Sequence, residues 1–169
     1  LPDLGGLESN DARAAFKNVS VDMRQFKKLR MFLHAEALEA DPVGNRLEDD
    51  EMVAFLRFGN DFTENFYEVE IPLKVTDFSA RSAEEIWPEA NEIVLPLDLL
   101  TKLKIIALQN TLPPDSDVND GIQYANEAFL GSSANRLTLG IKGNPNFGLV
   151  RTLMVGVKND ELRQWSEFS

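Results

Sequence analysis

Apolar and polar residues alternate with a period of two through much of this chain. Leu29, Met31, Leu33, Ala35 and Ala37 interleave with Arg30, Phe32, His34 and Glu36, which places successive side chains on opposite faces of a strand. Val19, Val21 and Met23 alternate just upstream, and residues 22–28 between them read as a connecting turn. Residues 53–58, VAFLRF, are apolar on both faces, as expected of a central strand covered on both sides. Tyr67, Val69, Ile71 and Leu73 oppose Phe66, Glu68 and Glu70. Shorter alternations follow at Ile93, Leu95 and Leu97, at Leu137, Leu139 and Ile141, and at Leu153, Val155 and Val157.

Helical spacing is rare. Leu99, Leu100, Leu103, Ile106 and Ala107 recur at i, i+3 and i+4, with Asp98 placed to cap them and Thr101 and Lys102 left to face water. Residues 82–85, SAEE, fit a capping box, and Pro88 limits any helix there to about one turn. Residues 109–133 lack sustained periodicity and are rich in Pro, Asp, Asn and Gly, so they read as the longest loop or as one short irregular helix.

Many short strands separated by turns predict an all-β or mainly β fold. The expected form is a two-sheet antiparallel β-sandwich of the jelly-roll, galactose-binding-like kind, with one or two short helices. Leu29, Met31, Leu33, Tyr67, Val69, Ile71, Leu137, Leu139 and Val155 should share one core, because their apolar sides must all find cover. Residues 143–148, GNPNFG, read as a structural turn. Asn144 is biased to an extended conformation by Pro145, and Gly143 and Gly148 permit positive φ.

Composition narrows the functional classes. The 169 residues suit one domain, 1–169, with 43% hydrophobic and 27% charged residues as in an ordinary soluble globular protein. A net charge of −11 argues against nucleic acid or an anionic membrane surface as partner. There is no cysteine, hence no disulfide or thiolate metal site. No apolar run approaches the roughly 20 residues of a membrane-spanning helix. The start at Leu1, without initiator Met or signal peptide, suggests a processed product or a piece of a much larger protein.

Candidate chemistry is sparse. His34, the one histidine, shares a strand face with Glu36, but a lone histidine without further partners reads as packed or solvated. Residues 48–51, EDDE, read as a solvated turn. In residues 115–121, DSDVNDG, oxygen donors alternate as in a calcium loop. Asp120 occupies the position where that loop needs Gly, and Glu127 comes one residue late after Asn126, so an ordinary polar loop is expected. Phe62, Phe66, Tyr67, Trp87, Tyr124 and Trp165 could form a sugar-stacking platform, although strand aromatics are core residues by default. No catalytic, cofactor-binding or metal-binding residue is assigned, no cofactor is expected, and an enzyme is not expected.

Residues 21–32, VDMRQFKKLRMF, resemble a signature common in galactose-binding-like jelly rolls. More closely, residues 22–36 (DMRQFKKLRMFLHAE), 54–73 (AFLRFGNDFTENFYEVEIPL), 86–93 (IWPEANEI) and 141–159 (IKGNPNFGLVRTLMVGVKN) resemble the SprA/Sov-type gliding-motility proteins of Bacteroidetes. The resemblance runs from about Phe16 to Asn159. It implies a non-catalytic scaffold or interaction domain of an outer-membrane, cell-surface protein of gliding motility and type IX protein secretion. The implied partners are other components of that machinery or the rest of the same polypeptide, within a membrane-embedded parent. Binding of a surface glycan by a carbohydrate-binding module is the alternative. Where such proteins continue into a Trp-containing strand ending Asn-Glu-Leu-Arg, this chain has residues 160–169, DELRQWSEFS. That departure predicts an open sheet edge beside the final strand, with Trp165 and Phe168 available to cover it.

Overall fold

A computed structural model describes residues 7, 11–39, 46–109 and 121–159. The strands are β1 (Ala12–Val21), β2 (Lys28–Phe32), β3 (Val53–Gly59), β4 (Phe66–Pro72), β5 (Glu92–Pro96), β6 (Gln123–Asn126), β7 (Thr138–Lys142) and β8 (Val150–Lys158). Two short helices, α1 (Ala83–Ile86) and α2 (Leu97–Leu108), complete the regular elements together with 3-10 turns at Glu89–Asn91 and Phe147–Leu149. The fold is mainly β, with two antiparallel sheets. Six strands run in the order β1-β8-β3-β4-β7-β6, and β2 pairs with β5 in a separate two-stranded sheet.

The core lies on one face of the large sheet. Leu56 and Phe58 of β3, Tyr67, Val69 and Ile71 of β4, and Leu139 and Ile141 of β7 meet Ile93 and Leu95 of β5. Leu97, Leu99, Leu100 and Leu103 of α2 complete this layer. Fully burying each such leucine contributes about 2 kcal/mol. The expected core holds together in this one cluster: Tyr67, Val69, Ile71, Leu137 and Leu139 are buried, and Leu29, Met31, Leu33 and Val155 pack against them half-buried.

Local chemistry sets the element ends. Ser82 caps α1 in a reciprocal capping box, its hydroxyl accepting from the Glu85 N–H while the Glu85 carboxylate accepts from the Ser82 N–H. α2 starts one residue before Asp98, with Pro96 at the N-cap. Asp98 falls in the first turn, where a carboxylate favours the positive helix end, and does not act as a cap. The alternation through Leu33, Ala35 and Ala37 does not extend β2. Its partner β5 begins at Glu92, which pairs with Phe32, so residues 33–35 have no ladder to join, and only Glu36 forms a single bridge, to Thr76.

Three other expectations are corrected. The aperiodic stretch 109–133 holds β6, a four-residue edge strand too short to show a period. Gly143 has φ +64°, but Gly148 is not in the positive-φ region and belongs to the 3-10 turn that Asn146 caps. The final strand, β8, is not an edge: β1, the first strand, pairs along it on one side and β3 on the other. The edges of the large sheet among the described residues are β1 and β6.

Candidate functional site

The face of the large sheet turned away from the core carries a buried cluster of ionisable side chains. Register puts Phe55, Glu70 and Thr138 in one cross-strand row with Gly156. Met154, Arg57, Glu68, Gly140 and Tyr124 form the next row. Two glycines make room for rings. A Cβ at Gly140 would stand 2.8 Å from Cε1 of Tyr124, and one at Gly156 would stand 2.6 Å from Cζ of Phe55. These rings therefore lie low over the glycines on either side of the two glutamates. Glu68 and Glu70 are only 1% and 3% exposed.

Both carboxylates are met by cations. Arg57 Nε and Nη2 approach Oε2 of Glu68 at 2.9 and 2.7 Å, and Arg57 Nη1 donates to the Phe62 carbonyl at 3.0 Å. Its guanidinium lies 4.0 Å from the Phe66 ring centroid. Lys158 Nζ reaches Oε1 of Glu68 at 3.1 Å and also pairs with Glu70. Tyr124 Oη donates to Glu68 at 3.4 Å. Burial pushes the Glu68 carboxyl upward. The hydrogen bond with Glu70 and the charges of Lys158 and Arg57 outweigh that and hold it below the usual carboxylate range. Two carboxyl groups and two cations tie β3, β4 and β8 together.

A second polar assembly joins two loops. Asp61 Oδ1 accepts the N–H groups of Thr63, Glu64 and Asn65 at 2.9, 2.5 and 3.0 Å, and Oδ2 accepts the Asn65 amide at 3.0 Å. Desolvation acts upward on this carboxyl, but those hydrogen bonds prevail and lower it to about 2. The loop so shaped receives the turn before β8. Asn65 Oδ1 accepts from Asn144 N at 3.0 Å, Asn60 Oδ1 accepts from Asn146 N at 2.8 Å, and Asn60 Nδ2 donates to Leu149 O at 3.2 Å. The segments FGNDFTEN and KGNPNFGL, which carry much of the family resemblance, are thus two halves of one contact.

The sequence candidates fall in separate places. His34 Nδ1 lies 2.7 Å from the Ile86 carbonyl and Nε2 lies 3.3 Å from Glu36, with the Trp87 ring 5.4 Å away. This cluster fastens the segment after β2 to the end of α1. Residues 48–51 form a turn whose Asp50, at φ 66°, bonds Lys74 and Arg136. Phe66, Tyr67 and Tyr124 are buried, Phe62 is half-buried against Phe16, and Trp87 is exposed on its own segment, so these rings do not form one platform. Residues 115–120, Trp165 and Phe168 lie outside the described residues. Glu127 is buried and accepts Arg136 N at 2.7 Å and Leu137 N at 3.0 Å, ordering its own loop.

Sequence reasoning did not single out the buried pair Glu68 and Glu70, which it placed only on the strand face opposite Tyr67, Val69, Ile71 and Leu73. The usable signal was Arg57 on a neighbouring strand and a glycine in each of two others. Among the described residues, no group of three or more His, Cys, Asp or Glu is placed to hold a metal ion, and no helix is long and apolar enough to cross a membrane.

A family model described as a motility related/secretion protein, SprA_N, matches residues 4–168. No curated protein matches the chain.

Proposed function

Because this chain belongs to the SprA-type motility related/secretion protein family, we propose that it is a non-catalytic scaffold or interaction domain of the cell-envelope machinery that family serves. The family match across residues 4–168 carries this reading. The site chemistry supports it: the buried acids Glu68 and Glu70 meet Arg57 and Lys158 and hold strands in register. The loops with the strongest family resemblance serve each other through Asn60, Asn65, Asn144 and Asn146.

In finer terms, we propose that the parent is an outer-membrane protein of gliding motility and type IX secretion in Bacteroidetes. The domain then works by contact with other components of that machinery or with the rest of its own polypeptide. The test replaces residues 11–159 in the chromosomal copy by a flexible linker and measures spreading motility and secretion of cargo proteins. Photo-crosslinking from surface positions of the intact domain then identifies what it touches. Loss of both functions and cross-links to envelope proteins are expected. Undiminished motility and secretion without the domain would contradict the proposal.

A further inference from the structure

We propose that Nζ of Lys158 and Cδ of Glu70 join in an amide bond that the folded chain makes for itself, a covalent cross-link between β8 and β4. The two residues are 88 apart in sequence, and β3 lies between their strands. Register nonetheless brings them together. Glu70 shares a row with Phe55 and Gly156, and Lys158 stands two residues along β8 from Gly156, on the same face. Lys158 Nζ pairs with Glu70 and lies 3.1 Å from Oε1 of Glu68. One amine therefore touches both a carboxyl group it can attack and a second that can take its proton. The surroundings keep water away. Both acids are buried, as are Phe55 and Tyr124, and the Phe55 ring centroid is 5.4 Å from Nζ. Reactants held side by side in this way behave as if at effective concentrations of about 10⁵ M or more.

Protons decide which acid reacts. A hydrogen bond between two carboxyl groups requires one proton. Glu68 is held below the usual carboxylate range, so that proton belongs to Glu70. The four groups then carry two positive charges against one negative, and a surplus charge is costly in a buried site. A neutral carboxyl group is also the form an amine can attack. Glu68 takes one proton from the Lys158 ammonium and frees the amine. The nitrogen then attacks Cδ of Glu70. The C–N bond forms, the C–OH bond of Glu70 breaks, and the hydroxyl leaves as water with a second proton from the nitrogen. An ammonium, a carboxylate and a carboxyl group thus become an amide, a carboxyl group on Glu68 and one water. When Glu68 gives its proton to solvent, a balanced pair with Arg57 remains and the surplus charge is gone. The bond ties β8 to β4 across β3 and constrains the chain between them when it unfolds.

The test is the mass of the purified intact chain under denaturing conditions. The chain should be one water lighter than its sequence. Trypsin should then fail to cut after Lys158 and should release a branched peptide joining residues 58–74 to residues 152–163. Fragmentation of that peptide should place the branch between Glu70 and Lys158. Lys158→Met and Glu70→Leu should each show the full sequence mass. Glu68→Gln, which cannot take the proton, should show a mixture of both masses when freshly purified and shift toward the lighter one on standing. The full sequence mass in the unaltered chain would overturn the proposal, and so would a water lost from Lys158→Met or a branch located at Glu68. Complete linkage of freshly purified Glu68→Gln would overturn the part given to Glu68. The unaltered chain decides the main point, so the outcome does not depend on any variant folding.

Discussion

Arg57 and Glu68 sit directly opposite each other on β3 and β4, with two guanidinium nitrogens 2.9 and 2.7 Å from one carboxylate oxygen. Glu68 is 1% exposed whereas Arg57 keeps part of its side chain in water. The burden of the pair therefore falls on the acid. A buried charge stripped of its partner is costly, while removing both charges costs much less. Arg57→Met should destabilise the domain, by less than the about 3–5 kcal/mol of a buried charge with no partner, because Lys158 still meets Glu68. Adding Glu68→Gln to Arg57→Met should recover a large part of that loss in urea unfolding. Equal stability of the single and double variants would contradict the pairing.

Acid should unfold the domain through the same groups. Glu68 and Asp61 both have folded-state pKa values below their unfolded values, Asp61 at about 2. Such groups add stability above the unfolded pKa, about 4.3 for Glu and 3.9 for Asp, and lose it as pH falls through the folded value. The thermal midpoint should therefore be level above about pH 5 and fall steadily toward about pH 2. Glu68→Gln should flatten that slope. A midpoint that holds constant down to about pH 2.5 would contradict the assignment.

The hairpin loop between β3 and β4 depends on Asp61. Asp61→Ala removes the acceptor for three backbone N–H groups and one side-chain amide, at a cost of about 2 kcal/mol. The loss should spread to the partner loop, since Asn65 is what receives Asn144. Hydrogen exchange at residues 143–149 should speed up along with that at 60–65. Faster exchange confined to 60–65 would show that the loops are not coupled.

The two glycines that flank this turn should respond differently. Gly143 is at φ +64°, and a Cβ there would strike the Glu64 carbonyl, so Gly143→Ala should cost at least about 2 kcal/mol. At Gly148 the added methyl meets the Arg24 side chain at 3.2 Å and Asn146 Oδ1 at 3.1 Å. Arg24 is largely solvated and can give way, so Gly148→Ala should cost under about 1 kcal/mol. Urea midpoints of the two variants check this, and the reverse order would contradict it.

The period of two exposed the strands that have one wet and one dry face, and with them the core residues Tyr67, Val69, Ile71 and Leu139. The same rule hid β1. Residues 12–18 are exposed on both faces, so no apolar rhythm marks them, and their partner β8 lies at the other end of the chain. The rule placed Glu68 and Glu70 on their face without showing their burial, because alternation says which side chains share a face and not whether that face meets water. Their burial comes from rings on β3 and β6 lying over glycines on β8 and β7, an arrangement that only the register brings together. The family-bearing loops were legible as turns, whereas their mutual hydrogen bonds required the fold.

The scaffold reading is tested most directly by removing the charges of the buried network without removing the domain. Arg57→Met, Glu68→Gln, Glu70→Gln and Lys158→Met would be introduced together into the chromosomal copy, and motility and cargo secretion measured. The purified variant would be checked by circular dichroism and thermal unfolding. A folded domain with undiminished motility and secretion is the predicted result, since on the scaffold reading the four groups serve to hold strands. Loss of motility or secretion from a variant that still folds would show that these side chains act on a substrate or partner, and would contradict the account.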